Sequence, residues 1–385
     1  MSASGTPVDP TLGTPASAPD PGPVSSWKGR LVSSVLASTV WARVAAVVLA
    51  LIVAVPAILA AGADPGEAYR AMFDGSLGSG RAFGDVLNRA DTFVLLGLGI
   101  AISIRAGFFN VGAEGQLWLG ALGATIVTLY WDGPGLLVVS VALVAGFVFG
   151  ALWSGLVAVL KIFLRVDELI GSLMLNYIAI LLIGYLTFGP MKAYRAGQTE
   201  RIPANHDLPL LFPSDSRLHM GFLISLVAVV VVWLLLTRTT FGYEIRTVGG
   251  NPEAARFAGI RINWLIARVS LLGGGLCGLA GANAILGVQH VLLSNFSPGW
   301  GYTAIAVALL GGLMPFGVLF AAVLFGALEI GATNMQYAAG VPTSVGGLIE
   351  GLILVFFLLS IPFSLTRRRR SGRISALRAR RRAEG

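Results

Sequence analysis

Apolar residues in this chain fall in long continuous runs, not in alternation. Ten runs can be read, at about 44–62, 92–105, 113–130, 135–163, 169–189, 221–237, 266–288, 302–314, 316–333 and 345–363. A bilayer-crossing helix needs about 20 apolar residues, and most of the runs are close to that length. The pattern predicts an all-α polytopic membrane protein with about ten transmembrane helices. Two runs, 92–105 and 302–314, are short for a full crossing, which predicts broken or re-entrant segments. Such backbone is tolerated at membrane depth only where protein or a water-filled cavity surrounds it. The first run ends in Ala61-Gly62-Ala63, similar to a signal-peptidase site. It is longer than the apolar region of a signal peptide, about 7–15 residues, and is expected to be an uncleaved span.

Composition agrees with the pattern. The chain is 55% hydrophobic and 12% charged, with mean hydropathy +0.79. An ordinary soluble domain is about 25% charged, so a soluble enzyme, a disordered chain and a disulfide scaffold are excluded. Residues 1–26 are rich in Pro, Ser, Thr, Gly and Ala without periodicity and read as disordered. The expected organisation is a cytoplasmic tail and approach over 1–43, a membrane domain over 44–363 and a basic tail over 364–385. With ten spans both termini share one side. That side then carries 20 of the 27 Lys and Arg residues, which marks it as cytoplasmic. The basic tail, Arg367 to Arg382, fits attraction to anionic membrane lipid better than nucleic-acid binding.

Residue types exclude further chemistry. A lone cysteine, Cys277, cannot form an internal disulfide. His206, His219 and His290 are not at ligand spacing, so no metal is expected. Lys28, Lys161 and Lys192 do not follow glycine, so the phosphate-cradling G-x-x-x-x-G-K-[ST] loop is missing. No cofactor is expected, and any ATP must bind another chain. No nucleophile–base pair supports an enzyme.

Four segments carry candidate chemistry. Residues 107–116, GFFNVGAEGQ, join two apolar runs and bring Asn110, Glu114 and Gln116 to a glycine-rich break. Two readings stay open: a discontinuous helix lining a translocation path, or a cytoplasmic turn with Glu114 favoured by a helix N-terminus. Ser172, Asn176 and Tyr177 enter an apolar helix at i, i+4 and i+5, predicting a shared polar face. Glu329, Asn334, Gln336 and Glu350 interrupt late apolar runs, which marks intramembrane functional candidates; without a His or basic residue near them in sequence, a proton relay is a weak reading. The loop at about 238–265 holds Gly250-Asn251-Pro252-Glu253-Ala254-Ala255, followed by Ala258 and Gly259. Asn251 suits an N-cap, Pro252 the first helical position, Glu253 the first turn and Gly259 a stop. So short a helix is marginal alone and needs something to pack against: a cytoplasmic partner or its own bundle. Segment 190–220 contains Pro203, Pro209 and Pro213 and is long for a connection; it either receives an external partner or is a mobile loop. Glycine pairs at 146/150, 274/278 and 347/351 have the spacing of close helix packing.

The runs FFNVGAEGQLWLGALGA, SLMLNYIA, FGYEIRTVGGNPEAARFAGI and AIAVALLGGLMPFGVLFAAVLFGALEIGA, in this order, resemble the permease subunits of bacterial ABC importers of the branched-chain amino acid and simple-sugar superfamily. The nucleoside-importer branch is the nearest match, over roughly 40–363. The resemblance implies a ten-helix importer bundle in the bacterial cell membrane. It also implies a second related permease, a separate ATP-binding subunit, an extracytoplasmic binding lipoprotein and an ATPase-coupling role for 249–260. Gly312-Leu313-Met314 departs from the usual pattern at a short turn. A simple-sugar permease is the alternative within the class, and an ion-coupled secondary transporter the alternative outside it.

Overall fold

The structure, a computed structural model, describes residues 45–212, 216–357 and 359. The predicted tails over 1–43 and 364–385 lie outside the described residues.

The chain forms helices α1 (Ala45–Ala60), α2 (Pro65–Leu77), α3 (Gly80–Arg105), α4 (Ala113–Tyr130), α5 (Gly135–Leu164), α6 (Glu168–Phe188) and α7 (Gly221–Arg238). These are followed by α8 (Thr240–Gly250), α9 (Pro252–Phe257), α10 (Ile262–Ala284), α11 (Trp300–Leu310), α12 (Pro315–Ala339) and α13 (Thr343–Phe357). Each of the ten apolar runs corresponds to one helix. The other three, α2, α8 and α9, are less apolar. Six helices are long and apolar enough to cross a membrane, or seven if α1 and α2, bent by 118°, count as one span. The chain is thus an all-α polytopic protein.

Run 92–105 is not a broken segment. It is the apolar half of α3, an unbroken helix of 26 residues capped by Ser79. Its first half carries Asp85, Asn88, Arg89 and Asp91, which end an apolar run but not a helix. A helix enclosed by protein tolerates such residues. In the most apolar stretch of each helix, 83% of α3 is buried and 72% of α10 with its following turn, against 33% of α5, α6 and α7. α3 and α10 therefore form the centre of the bundle, and α5 to α7 present apolar faces outward.

Glycine makes the central seam possible. A Cβ on Gly120 would lie 2.1 Å from the Gly278 carbonyl oxygen, and one on Gly150 2.4 Å from that of Gly274. α4, α5 and α10 thus touch backbone to backbone, as small-residue packing in lipid allows. Gly347 and Gly351 have open space where a Cβ would be, so that pair does not serve packing among the described residues.

The described part of segment 190–220 is anchored, contrary to the mobile-loop reading. The amides of Thr199, Ile202 and Leu208 donate to the carbonyls of Leu292, His290 and Leu286. His290 Nδ1 lies 2.8 Å from Asp207 Oδ1, and His206 Nδ1 lies 3.1 Å from the Thr128 carbonyl.

Candidate functional site

Three features stand out: a junction of helix ends inside the bundle, a polar cavity, and an exposed short helix.

The junction begins where α3 ends. Gly107 takes φ 75°, the chain runs extended, and α4 restarts at Ala113. The Gly115 amide donates to Asn176 Oδ1 at 2.8 Å. Asn176 lies about two turns into α6, or about 12 Å from its start, so α4 begins well inside the bundle. α11 begins at the same place. Glu114 is 1% exposed. Its Oε1 accepts from Trp118 Nε1 at 2.9 Å, and its Oε2 from the Gly301 amide of α11 at 2.7 Å. The N-termini of α4 and α11 thus meet on one carboxylate, the charge both helix dipoles favour. Gly301 is required there, because a Cβ would lie 2.3 Å from the Glu114 nitrogen. Ser297 Oγ accepts from the Gly299 and Trp300 amides at 3.1 and 3.0 Å, completing the start of α11.

The remaining junction residues are also buried. Asn110 Oδ1 accepts from the Gly112 amide at 2.8 Å, and Asn176 Nδ2 donates to the Val111 carbonyl at 3.0 Å. Ser172 Oγ accepts from the Val111 amide at 3.3 Å. Gln116 is fully buried, and its side-chain amide has no partner among the described residues. Tyr177 does not join them. Ser172 and Asn176 are 0% exposed and Tyr177 is 60% exposed, because position i+5 lies about 100° around the helix from i+4.

The polar cavity, about 280 Å³, lies between α3, α11, α12 and the turn after α10. Asp85, Asn88, Arg89 and Thr92 line it from α3, a stripe at i, i+3, i+4 and i+7. Arg89 stacks on Trp300 at 4.0 Å, and its Nε lies 3.3 Å from Glu329 Oε2. Glu329 Oε1 accepts from Trp300 Nε1 at 2.9 Å. Glu329 therefore has a basic partner, supplied by a helix 240 positions earlier in the chain. Trp300 continues edge-to-face through Phe296 to Trp118, with centroid separations of 5.5 and 5.4 Å. The cavity wall and the junction are thus one packed unit. Asn334 lines the cavity and donates to the Gly75 carbonyl of α2 at 3.2 Å. Glu350 of α13 is close enough to interact electrostatically with Glu329 and Arg89.

The turn after α10, Ile285–Gln289, is a π-helical widening, a form frequent at functional sites. It accommodates His219, whose ring would lie 2.5 Å from a Cβ on Gly287. His219 Nδ1 accepts from the Gly221 amide at 3.1 Å. Burial, with His290 nearby, pushes the His219 pKa down to about 4, so the ring is neutral at pH 7. Asn283 Nδ2 reaches both oxygens of the buried Asp91 at 3.2 Å, tying α10 to α3.

The exposed helix is α9. Asn251 Oδ1 accepts from the amides of Glu253 and Ala254 at 2.9 and 3.1 Å. Pro252 is its first residue and Gly259 turns with φ 79°. The local prediction holds. The distribution of small residues differs from expectation: Ala255 is 0% exposed and packs into the bundle, while Ala254, Ala258 and Gly259 face outward. Phe257, which no motif in the sequence singles out, is 94% exposed. The preceding α8 rests on the end of α3, since a Cβ on Gly249 would lie 1.9 Å from the Arg105 carbonyl oxygen.

Known proteins are similar to this chain over most of its length. The family described as the permease component of the branched-chain amino acid transport system matches residues 82–358. The chain belongs to this permease family. A glucose ABC transporter permease of Haloferax volcanii is 36% identical, covering 82% of this chain and 86% of its own. A guanosine ABC transporter permease of Bacillus subtilis is 34% identical, covering 81% and 90%. A nucleoside ABC transporter permease of Lactococcus lactis is 31% identical, covering 81% and 88%. The protein is therefore a multi-pass permease subunit of an ABC transporter, a transport component and not an enzyme.

The pattern of apolar runs does not single out Arg89, Asp85 or Trp300 of the permease. The α3 stripe was readable at helical spacing, but a search for apolar runs starts past it. Trp300 gave no signal, because its role depends on Arg89 and Glu329 from distant helices.

Proposed function

We propose that this permease forms the translocation path for nucleosides in an ATP-driven importer. It lies in the bacterial cell membrane with both termini in the cytoplasm. α9 docks on a separate ATP-binding subunit, a second related permease completes the path, and an extracytoplasmic lipoprotein delivers the substrate. The observation that carries the coupling role is α9 itself: six residues, capped at both ends, exposed except for Ala255, with Phe257 projecting free. A helix this short and this exposed has a reason to persist if a partner covers it. The junction residues Asn110, Glu114, Gln116, Ser172 and Asn176 hold the helix ends that α9 movement would shift. Glu329, Asn334 and Glu350 belong with the cavity on the substrate side.

Nucleosides are favoured because two of the three relatives described above are a guanosine and a nucleoside permease. The glucose relative supports a simple-sugar permease as the second reading. Competition decides between them. Cells carrying the complete transporter take up labelled guanosine, and excess unlabelled uridine suppresses that uptake while glucose does not. Suppression by glucose alone, or glucose uptake without guanosine uptake, moves the assignment to sugars.

A further inference from the structure

The cavity wall contains two kinds of polar group. Asn88, Arg89, Trp300 and Asn334 are engaged in holding helices together. The side chains of Asp85, Thr92 and Gln289 line the same space without a hydrogen-bond partner among the described residues. Thr92 is only 3% exposed, so its hydroxyl has the cavity and little else to meet. Thr92 is buried, and Asp85 and Gln289 are half-buried; buried polar groups are normally satisfied, so three open groups facing one space call for a polar occupant.

Charge narrows the class. Glu329 neutralises Arg89, and Arg217 attracts Asp85 across the cavity. The charged residues that line the cavity are thus all paired, and none is left to select an anion or a cation. The open groups are an acceptor-only carboxylate, an amide that both donates and accepts, and a hydroxyl that does the same. Hydroxyl groups of a ligand, each a donor and an acceptor, satisfy all three. Two adjacent hydroxyls can donate to the two oxygens of one carboxylate, the way an acidic side chain holds a ribose.

We propose that this cavity binds a neutral polyhydroxylated ring through a pair of vicinal hydroxyls, with Asp85 as their acceptor and Gln289 and Thr92 completing the contact. The proposal rests on the importer reading above and names the part of the substrate this chain reads. Vicinal hydroxyls on a saturated ring are what guanosine and glucose have in common, so one site suits the substrates named for both kinds of relative.

The test is equilibrium binding to the full chain in lipid nanodiscs, without a binding protein. Probes are labelled guanosine, glucose, 2′,3′-dideoxyguanosine and leucine. Guanosine or glucose should bind, and which of the two binds identifies the source of the diol. Dideoxyguanosine should bind at least about tenfold more weakly than guanosine if guanosine is the ligand. Asp85→Asn and Gln289→Leu should each weaken binding of the diol ligand by about tenfold. Thr92→Val, nearly isosteric, provides the same check if either of those variants melts early. Absence of binding by guanosine and glucose, equal binding of dideoxyguanosine and guanosine, undiminished binding in folded variants, or preferential binding of leucine overturns the cavity assignment. The importer reading fails separately, if cells with the complete wild-type transporter take up neither guanosine nor glucose.

Discussion

Glu114 joins two helices that share no sequence neighbourhood, and its two oxygens are both used. Replacing it with Gln puts an amide N–H₂ against either Trp118 Nε1 or the Gly301 amide, donor against donor. Glu114→Gln should lower stability by about 1–3 kcal/mol, visible as early melting of the detergent-solubilised protein. Unchanged melting would mean that the carboxylate is not holding α11. Gly301→Ala should be at least as damaging, because its Cβ meets backbone that cannot rotate away. His219 gives a pH signature. An unfolded histidine titrates near 6.5 and the folded one at about 4. Above pH 6.5 both states are neutral. As pH falls from 6.5 toward 4, the unfolded chain takes up a proton that the fold refuses, so stability falls, by up to about 3 kcal/mol. Melting of wild type and His219→Gln at pH 7 and pH 5 checks this: the variant should lose less on acidification, and equal losses contradict it.

At the level of elements, α9 divides into an inward and an outward side. Ala255→Arg forces a charge into a fully buried position, so it should destabilise the bundle and is a poor probe of docking. Phe257→Ala removes only exposed surface. It should leave melting unchanged while weakening co-purification with the ATP-binding subunit at least about tenfold, the scale of an aromatic interface anchor. Normal co-purification and normal uptake in Phe257→Ala would make α9 a plain connector. The capped start of α9 and the restart of the chain at Ala113 were legible in sequence, because Asn-Pro-Glu and Gly-rich breaks act locally. The inward turn of Ala255 and the outward turn of Tyr177 were not, because they depend on which neighbours surround the helix. The α3 polar half was hidden by its own composition: Asp85, Asn88, Arg89 and Asp91 end an apolar run but are accommodated by protein on all sides.

At the level of the whole molecule, the all-α polytopic class and the positions of ten apolar helices could be read from run length alone, but among the described residues only six helices, or seven with the bent pair, are long and apolar enough to cross a membrane. The Glu114 junction and the Arg89–Trp300–Glu329 wall could not, because each joins residues more than 180 positions apart. The basic-residue asymmetry predicts a topology that remains to be tested. A reporter inserted at the fully exposed Tyr194 should report from outside the cell, and one at Arg256 from the cytoplasm; the reverse pair would invert the permease and remove α9 from reach of any cytoplasmic ATPase. The central claim is that movement through this chain is driven by ATP bound elsewhere. Its most direct test is labelled guanosine uptake into proteoliposomes containing the permease pair and the binding lipoprotein, with and without the ATP-binding subunit. Uptake should require both that subunit and ATP, and should be indifferent to proton or sodium gradients. Uptake by the permeases alone down an imposed ion gradient would contradict the account.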